Sequence, residues 1–122
     1  MSRVLLVEDD PLITEIIADE LLQRGYHVDT ATNGADALER LAIQRPDAIV
    51  LDLMLPVLHG WDFVEHYREH TAGELVPILV VSAAGAVTRS MERLGVKAFL
   101  PKPFSLHDLV NRLTEITGQP PQ

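Results

Sequence analysis

Three short runs in this chain, "VLLV" (4–7), "AIVL" (48–51) and "ILVV" (78–81), are apolar at every position. A strand with one face in water alternates polar and apolar residues. A run without alternation belongs to a strand buried on both faces, the condition of a parallel sheet covered by helices. Two further strand-like runs are "YHVDTA" (26–31) and "AFLPK" (98–102). The segments between them have helical spacing. Leu12, Ile13, Ile16, Ile17, Leu21 and Leu22 make one apolar face, opened by Asp10 as N-cap and Pro11 at the first helical position, and closed by Gly25. A second helix runs from about Gly34 to Gln44, "WDFVEHYREH" (61–70) makes a third and "VTRSMERL" (87–94) a short fourth. "SLHDLVNRLTEIT" (105–117) makes a fifth, with Ser105 and Asp108 spaced as a capping box and Gly118 after its end. Strand and helix alternate five times. The expected fold is therefore α/β, a doubly wound five-stranded parallel sheet with helices on both faces.

A chain of 122 residues, 47% of them apolar, can fill such a core as one domain. It has no cysteine, so neither disulfides nor thiolate metal sites enter. The apolar runs are far below the roughly 20 residues of a membrane helix. Glu8 and Asp9 interrupt any signal-like segment, and the chain reads as cytoplasmic, with no membrane contact. The formal charge is −8 with no basic stripe, which argues against direct nucleic-acid binding.

In an open parallel sheet, ligands bind beyond the carboxyl ends of the strands. The first strand ends in Glu8 and Asp9, the third in Asp52, the fourth in Ser82 and the fifth in Lys102. The second ends in Ala31 and Thr32, with nothing ionisable. Adjacent carboxylates repel one another, so a cation belongs among them. Oxygen donors alone suit a hard cation, and Mg²⁺ fits best, because it takes one or two carboxylates plus water and phosphate oxygens. Carboxylate, Mg²⁺, hydroxyl and ammonium together form an apparatus for phosphoryl transfer. Asp52 stands alone after the central strand, before Leu-Met-Leu-Pro, where no helix needs a cap; it is the candidate nucleophile.

"LLVEDD", "LDLMLPVLHG", "VVSA" and "FLPKPF" resemble the receiver domains of two-component response regulators, over Arg3 to about Thr117. Asp52, Pro56 and Gly60 match the family's D-x-x-x-P-x-x-x-G segment. The resemblance implies a CheY-like, flavodoxin-like three-layer sandwich with strand order 2-1-3-4-5, a receiver domain over 1–118, and a tail or start of a linker at 119–122. It implies Asp52 as phosphoacceptor, and a Mg²⁺ site of Glu8, Asp9, Asp52 and the Met54 carbonyl, with Asp9 a direct ligand and Glu8 acting through water. Ser82 would contact the phosphoryl group and Lys102 would pair with it, its bond to Pro103 being cis. Ser82 and Phe99 would carry the conformational switch. The implied partner is a sensor histidine kinase or a histidine phosphotransfer domain, with a phosphorylation-dependent homodimer as an option. Such a chain is no enzyme on other substrates, since it catalyses only its own Mg²⁺-dependent phosphorylation and dephosphorylation. The stretch from Ser82 to Lys102 is shorter than the family pattern, which alters the surface around the fourth helix.

Three rivals are weaker. An FMN binder would need a glycine- and hydroxyl-rich phosphate loop where three acids stand. A small phosphohydrolase with an aspartyl nucleophile would need a second acid just beyond Asp52, where Leu53, Met54 and Leu55 stand. A receiver that only binds partners would not keep every phosphorylation residue. "HYREH" (66–70) matches an inverted zinc-protease motif, but reads as a solvated helix face with no third ligand. His27, His59 and His107 read as surface or turn residues.

In the receiver family the positions two after the phosphoacceptor and two after the switch hydroxyl flank the in-line approach of water. Here they are Met54 and Ala84, neither of which can orient a water. The phosphoryl group is therefore expected to last minutes or longer. Replacing Met54 by Asn and Ala84 by Glu should speed decay by about tenfold or more, about 1.4 kcal/mol of barrier. Loss of phosphate after donor removal, at fixed Mg²⁺, measures it; an unaccelerated double variant contradicts it.

Overall fold

Five short strand-forming runs pair into one sheet, and capping residues end three of the helices between and after them. The computed structural model describes residues 2–52, 60–70, 76–83, 96 and 98–118. The expected fourth helix, the Met54 carbonyl, Ala84, His59 and the 119–122 tail lie outside the described residues, as do the side chains of Trp61 and His70.

The elements are β1 (Arg3–Val7), α1 (Pro11–Gln23), β2 (His27–Ala31), α2 (Gly34–Ile43), β3 (Ala48–Asp52), α3 (Gly60–His70), β4 (Ile78–Ala83), β5 (Ala98–Lys102) and α4 (Leu106–Thr117). Every pairing is parallel and the sheet order is β2-β1-β3-β4-β5, as expected. Asp10 caps α1, its side chain accepting from the Leu12 and Ile13 amides, and Pro11 supplies the fixed φ of the first turn. Gly25 follows α1 with φ 90°, a left-handed conformation that a residue with a Cβ adopts only under strain. Asn33 caps α2 by accepting from the Asp36 amide at 2.8 Å. Ser105 caps α4 by accepting from the Asp108 amide at 3.0 Å, and Gly118 ends it at φ 73°.

Alternate residues of each central strand enter opposite layers. Val4, Leu6, Val50 and Leu79 pack with Ile17, Leu21, Leu109 and Leu113 of α1 and α4. Leu5, Val7, Leu51 and Val80 pack with Ala37 of α2 and Phe63 and Val64 of α3. Each fully buried leucine of these layers contributes roughly 1.5–3 kcal/mol. The apolar face of α1 is wider than what the sheet covers. Ile13, Ile17 and Leu21, spaced i, i+4, i+8, face the core, whereas Leu12 and Ile16, one residue or about 100° away, stay exposed, as does Leu22. No described helix is long and apolar enough to cross a membrane. Of the histidines, His27, His66 and His107 are exposed.

Candidate functional site

Strand register brings the polar residues together. Val7 of β1 pairs with Leu51 of β3, so the chain carries Glu8 past the sheet edge level with Asp52. Asp52 pairs with Val81, which places Ser82 one residue beyond; Ser82 pairs with Pro101 and Ala83 with Lys102. One register error would turn a carboxylate into a core layer. The Glu8 amide donates to the Ala31 carbonyl at 3.0 Å and so fixes the exit from β1.

Glu8 and Asp52 are each 3% exposed and Ser82 is 1% exposed, while Asp9 faces solvent. One carboxylate oxygen from each of Glu8, Asp9 and Asp52 lies within 4.8 Å of the others. Lys102 Nζ donates to Asp52 Oδ2 at 2.9 Å. Burial pushes the Glu8 carboxyl up to about 8, helped by its hydrogen bond to Asp52 and the charge there, against the Asp10 amide and Lys102. Burial alone would lower the Lys102 ammonium. Its hydrogen bond to Asp52, and the charges of Asp52, Glu8 and Asp9, outweigh that and hold it above its ordinary value. The lysine thus remains a cation at any physiological pH.

The donor set fits Mg²⁺: three carboxylates, no imidazole among them, and an excess of negative charge that one ammonium does not balance. The bond between Lys102 and Pro103 is cis, as expected. Phe99 on β5 is partly buried against the layer that holds Phe63 and Val80.

Ser82 Oγ is buried and finds no hydrogen-bond partner among the described residues. A hydroxyl stripped of water in this way costs about 1 kcal/mol or more. Ser82→Ala should therefore stabilise the unphosphorylated protein by about 1 kcal/mol, roughly 3–5 °C in melting temperature. Calorimetric melting measures this, and a fall in melting temperature would show that the hydroxyl is satisfied in solution.

Every expected side chain inside the described residues, Glu8, Asp9, Asp52, Ser82, Lys102 and Phe99, sits at this edge or on the strands leading to it. Two contributors escaped the sequence reading. The Asp10 amide donates to Glu8 Oε1 at 3.2 Å, and Thr14 Oγ1 donates to the Asp10 carbonyl at 2.9 Å. A hydroxyl four residues after a cap was the available signal.

The chain matches known proteins over almost its whole length. The model of the response regulator receiver domain matches residues 4–114. The response regulator MprA of Mycobacterium ulcerans is 40% identical over 113 residues, covering 91% of this chain and 48% of that protein. The chain spans about half the length of the curated relatives it matches. Among solved structures, chemotaxis response regulator CheY4 of Vibrio cholerae superposes with a TM-score of 0.88 at 30% identity, covering 95% and 98% of the two chains. The receiver domain of the sensor histidine kinase PA1611 from Pseudomonas aeruginosa, with a magnesium ion coordinated in its active site cleft, has a TM-score of 0.85 at 32% identity, covering 97% and 98%. With its 2-1-3-4-5 sheet and the acids, hydroxyl and lysine gathered at one edge, the chain belongs to the response regulator receiver domains of two-component signalling.

Proposed function

We propose that Asp52 accepts a phosphoryl group from a phosphohistidine of a sensor histidine kinase or histidine phosphotransfer domain. The observation that carries this reading is the meeting of Glu8, Asp9 and Asp52 with a lysine and an unpartnered hydroxyl. An Asp52 carboxylate oxygen forms the new O–P bond as the N–P bond of the donor breaks. Glu8, Asp9 and Asp52 hold Mg²⁺, as the ion in the PA1611 receiver suggests; bound there, it supplies positive charge against the phosphoryl oxygens. Lys102 shifts from the Asp52 carboxylate to the new phosphoryl oxygens, and Ser82 gains the acceptor it lacks. The chain catalyses only its own phosphorylation and hydrolysis.

With Mg²⁺ and acetyl phosphate, intact mass should rise by one phosphoryl group; with EDTA in place of Mg²⁺ it should not. Labelling that ignores Mg²⁺ would overturn the reading. A metal that binds only the folded state also stabilises it, by about 1–2 kcal/mol at roughly tenfold to thirtyfold excess over the dissociation constant. Millimolar Mg²⁺ should raise the melting temperature by several degrees, and Asp9→Asn should remove most of that rise. An unchanged response in that variant would place the ion elsewhere.

A further inference from the structure

Three acids follow β1, yet only Glu8 and Asp9 share the cluster with Asp52. The third is committed elsewhere. Asp10 Oδ1 accepts from the Leu12 amide at 2.9 Å and the Ile13 amide at 3.4 Å. The cap holds Asp10 at φ −83°, ψ 115°. In that conformation its own amide points back toward β1 and donates to Glu8 Oε1 at 3.2 Å. Thr14 secures the same turn, its amide and hydroxyl both donating to the Asp10 carbonyl, at 3.0 and 2.9 Å. The start of α1 and the buried Glu8 carboxylate are therefore one hydrogen-bonded unit.

We infer that Asp10 is a positioning residue for the cation site: by capping α1 it aims its backbone amide at Glu8 and holds that carboxylate toward Asp9 and Asp52. The role belongs to its side-chain oxygen as a cap, not to its charge. The inference rests on the reading of Glu8, Asp9 and Asp52 as the Mg²⁺ site. Groups that orient a metal-binding side chain typically change affinity by about 10- to 100-fold when removed. Asp10 acts through a single amide, so the low end applies.

The test is Mg²⁺ binding by calorimetry, with Mg²⁺ as the only ligand. Asp10→Ala should bind about tenfold more weakly. Asp10→Asn and Asp10→Ser keep a capping oxygen and should stay within about two- to threefold of the wild type, the residue of a screened charge effect. Asn33→Ala removes the α2 cap, whose bond to the Asp36 amide does not involve the Glu8 carboxylate, and should leave Mg²⁺ affinity unchanged. Wild-type affinity in Asp10→Ala, with binding lost in Asp9→Asn, would overturn the inference and leave the metal site standing. Asp10→Asn as weak as Asp10→Ala would make the effect one of charge and overturn it. So would equal weakening in Asn33→Ala, which would mark a general consequence of losing a cap. Unchanged binding in Asp9→Asn would overturn the site reading itself.

Discussion

Asp52→Asn is expected to abolish phosphorylation by acetyl phosphate. Asparagine keeps the shape of the side chain at the end of β3, so the fold should survive. It removes the anionic oxygen that would form the O–P bond under the proposed reading. It also takes a ligand from the acidic cluster and the charge that Lys102 Nζ contacts at 2.9 Å. Loss of a nucleophile commonly costs several powers of ten in rate. Intact-mass spectra should show one added phosphoryl group on the wild type and none on the variant over the same time. Equal mass gain in both proteins would remove Asp52 from its assigned role.

In Mg²⁺-free buffer the protein should lose stability as pH rises from about 5 to about 8. Glu8 carries the effect. Its carboxyl sits at about 8 in the fold against an ordinary 4.5, through burial first and the Asp52 contact second. Between those values the folded chain holds a proton that the unfolded chain has released. Stability from this group is thus complete below the unfolded value and lost as pH passes the folded one. The expected loss is of order 2–4 kcal/mol. Glu8→Gln, which stays neutral and can still hydrogen-bond Asp52, should flatten the profile and be the more stable protein at about pH 8.5. Mg²⁺ competes with the same proton, so its stabilising effect should grow across this window in the wild type. Urea denaturation at several pH values, with EDTA and with Mg²⁺, reads both trends. Parallel profiles for wild type and Glu8→Gln would show that Glu8 ionises without penalty.

The strands were legible because residues such as Val4–Val7 and Ala48–Leu51 are apolar without interruption, a pattern that water-facing strands do not tolerate. Helix ends were legible wherever a cap had a distinctive residue: Asp10 with Pro11, Ser105, and Gly118. The Asn33 cap was less legible, because Asn33-Gly34 reads equally as a turn. The width of the α1 stripe misled, since Leu12 and Ile16 obey helical spacing but lie beyond the reach of the sheet. The site was legible because parallel topology sends every strand end to the same edge, so chemistry follows from which residue comes next. The bond from the Asp10 amide to Glu8 was not, because it joins a backbone donor to one rotamer of a side chain, which residue type does not specify.

The sheet order has a mechanical consequence. Asp52 stands on β3, gripped by β1 and β4, whereas Lys102 and Phe99 share β5, which has a single neighbour. Displacing β3 would break two ladders at once; displacing β5 disturbs one. Asp52 is thus held by two ladders, and Lys102 and Phe99 by one. Under the proposed reading, a phosphoryl group on Asp52 would be answered at the margin formed by β5, which carries Lys102 and Phe99, whereas the opposite margin, β2, bears no ionisable group at that edge.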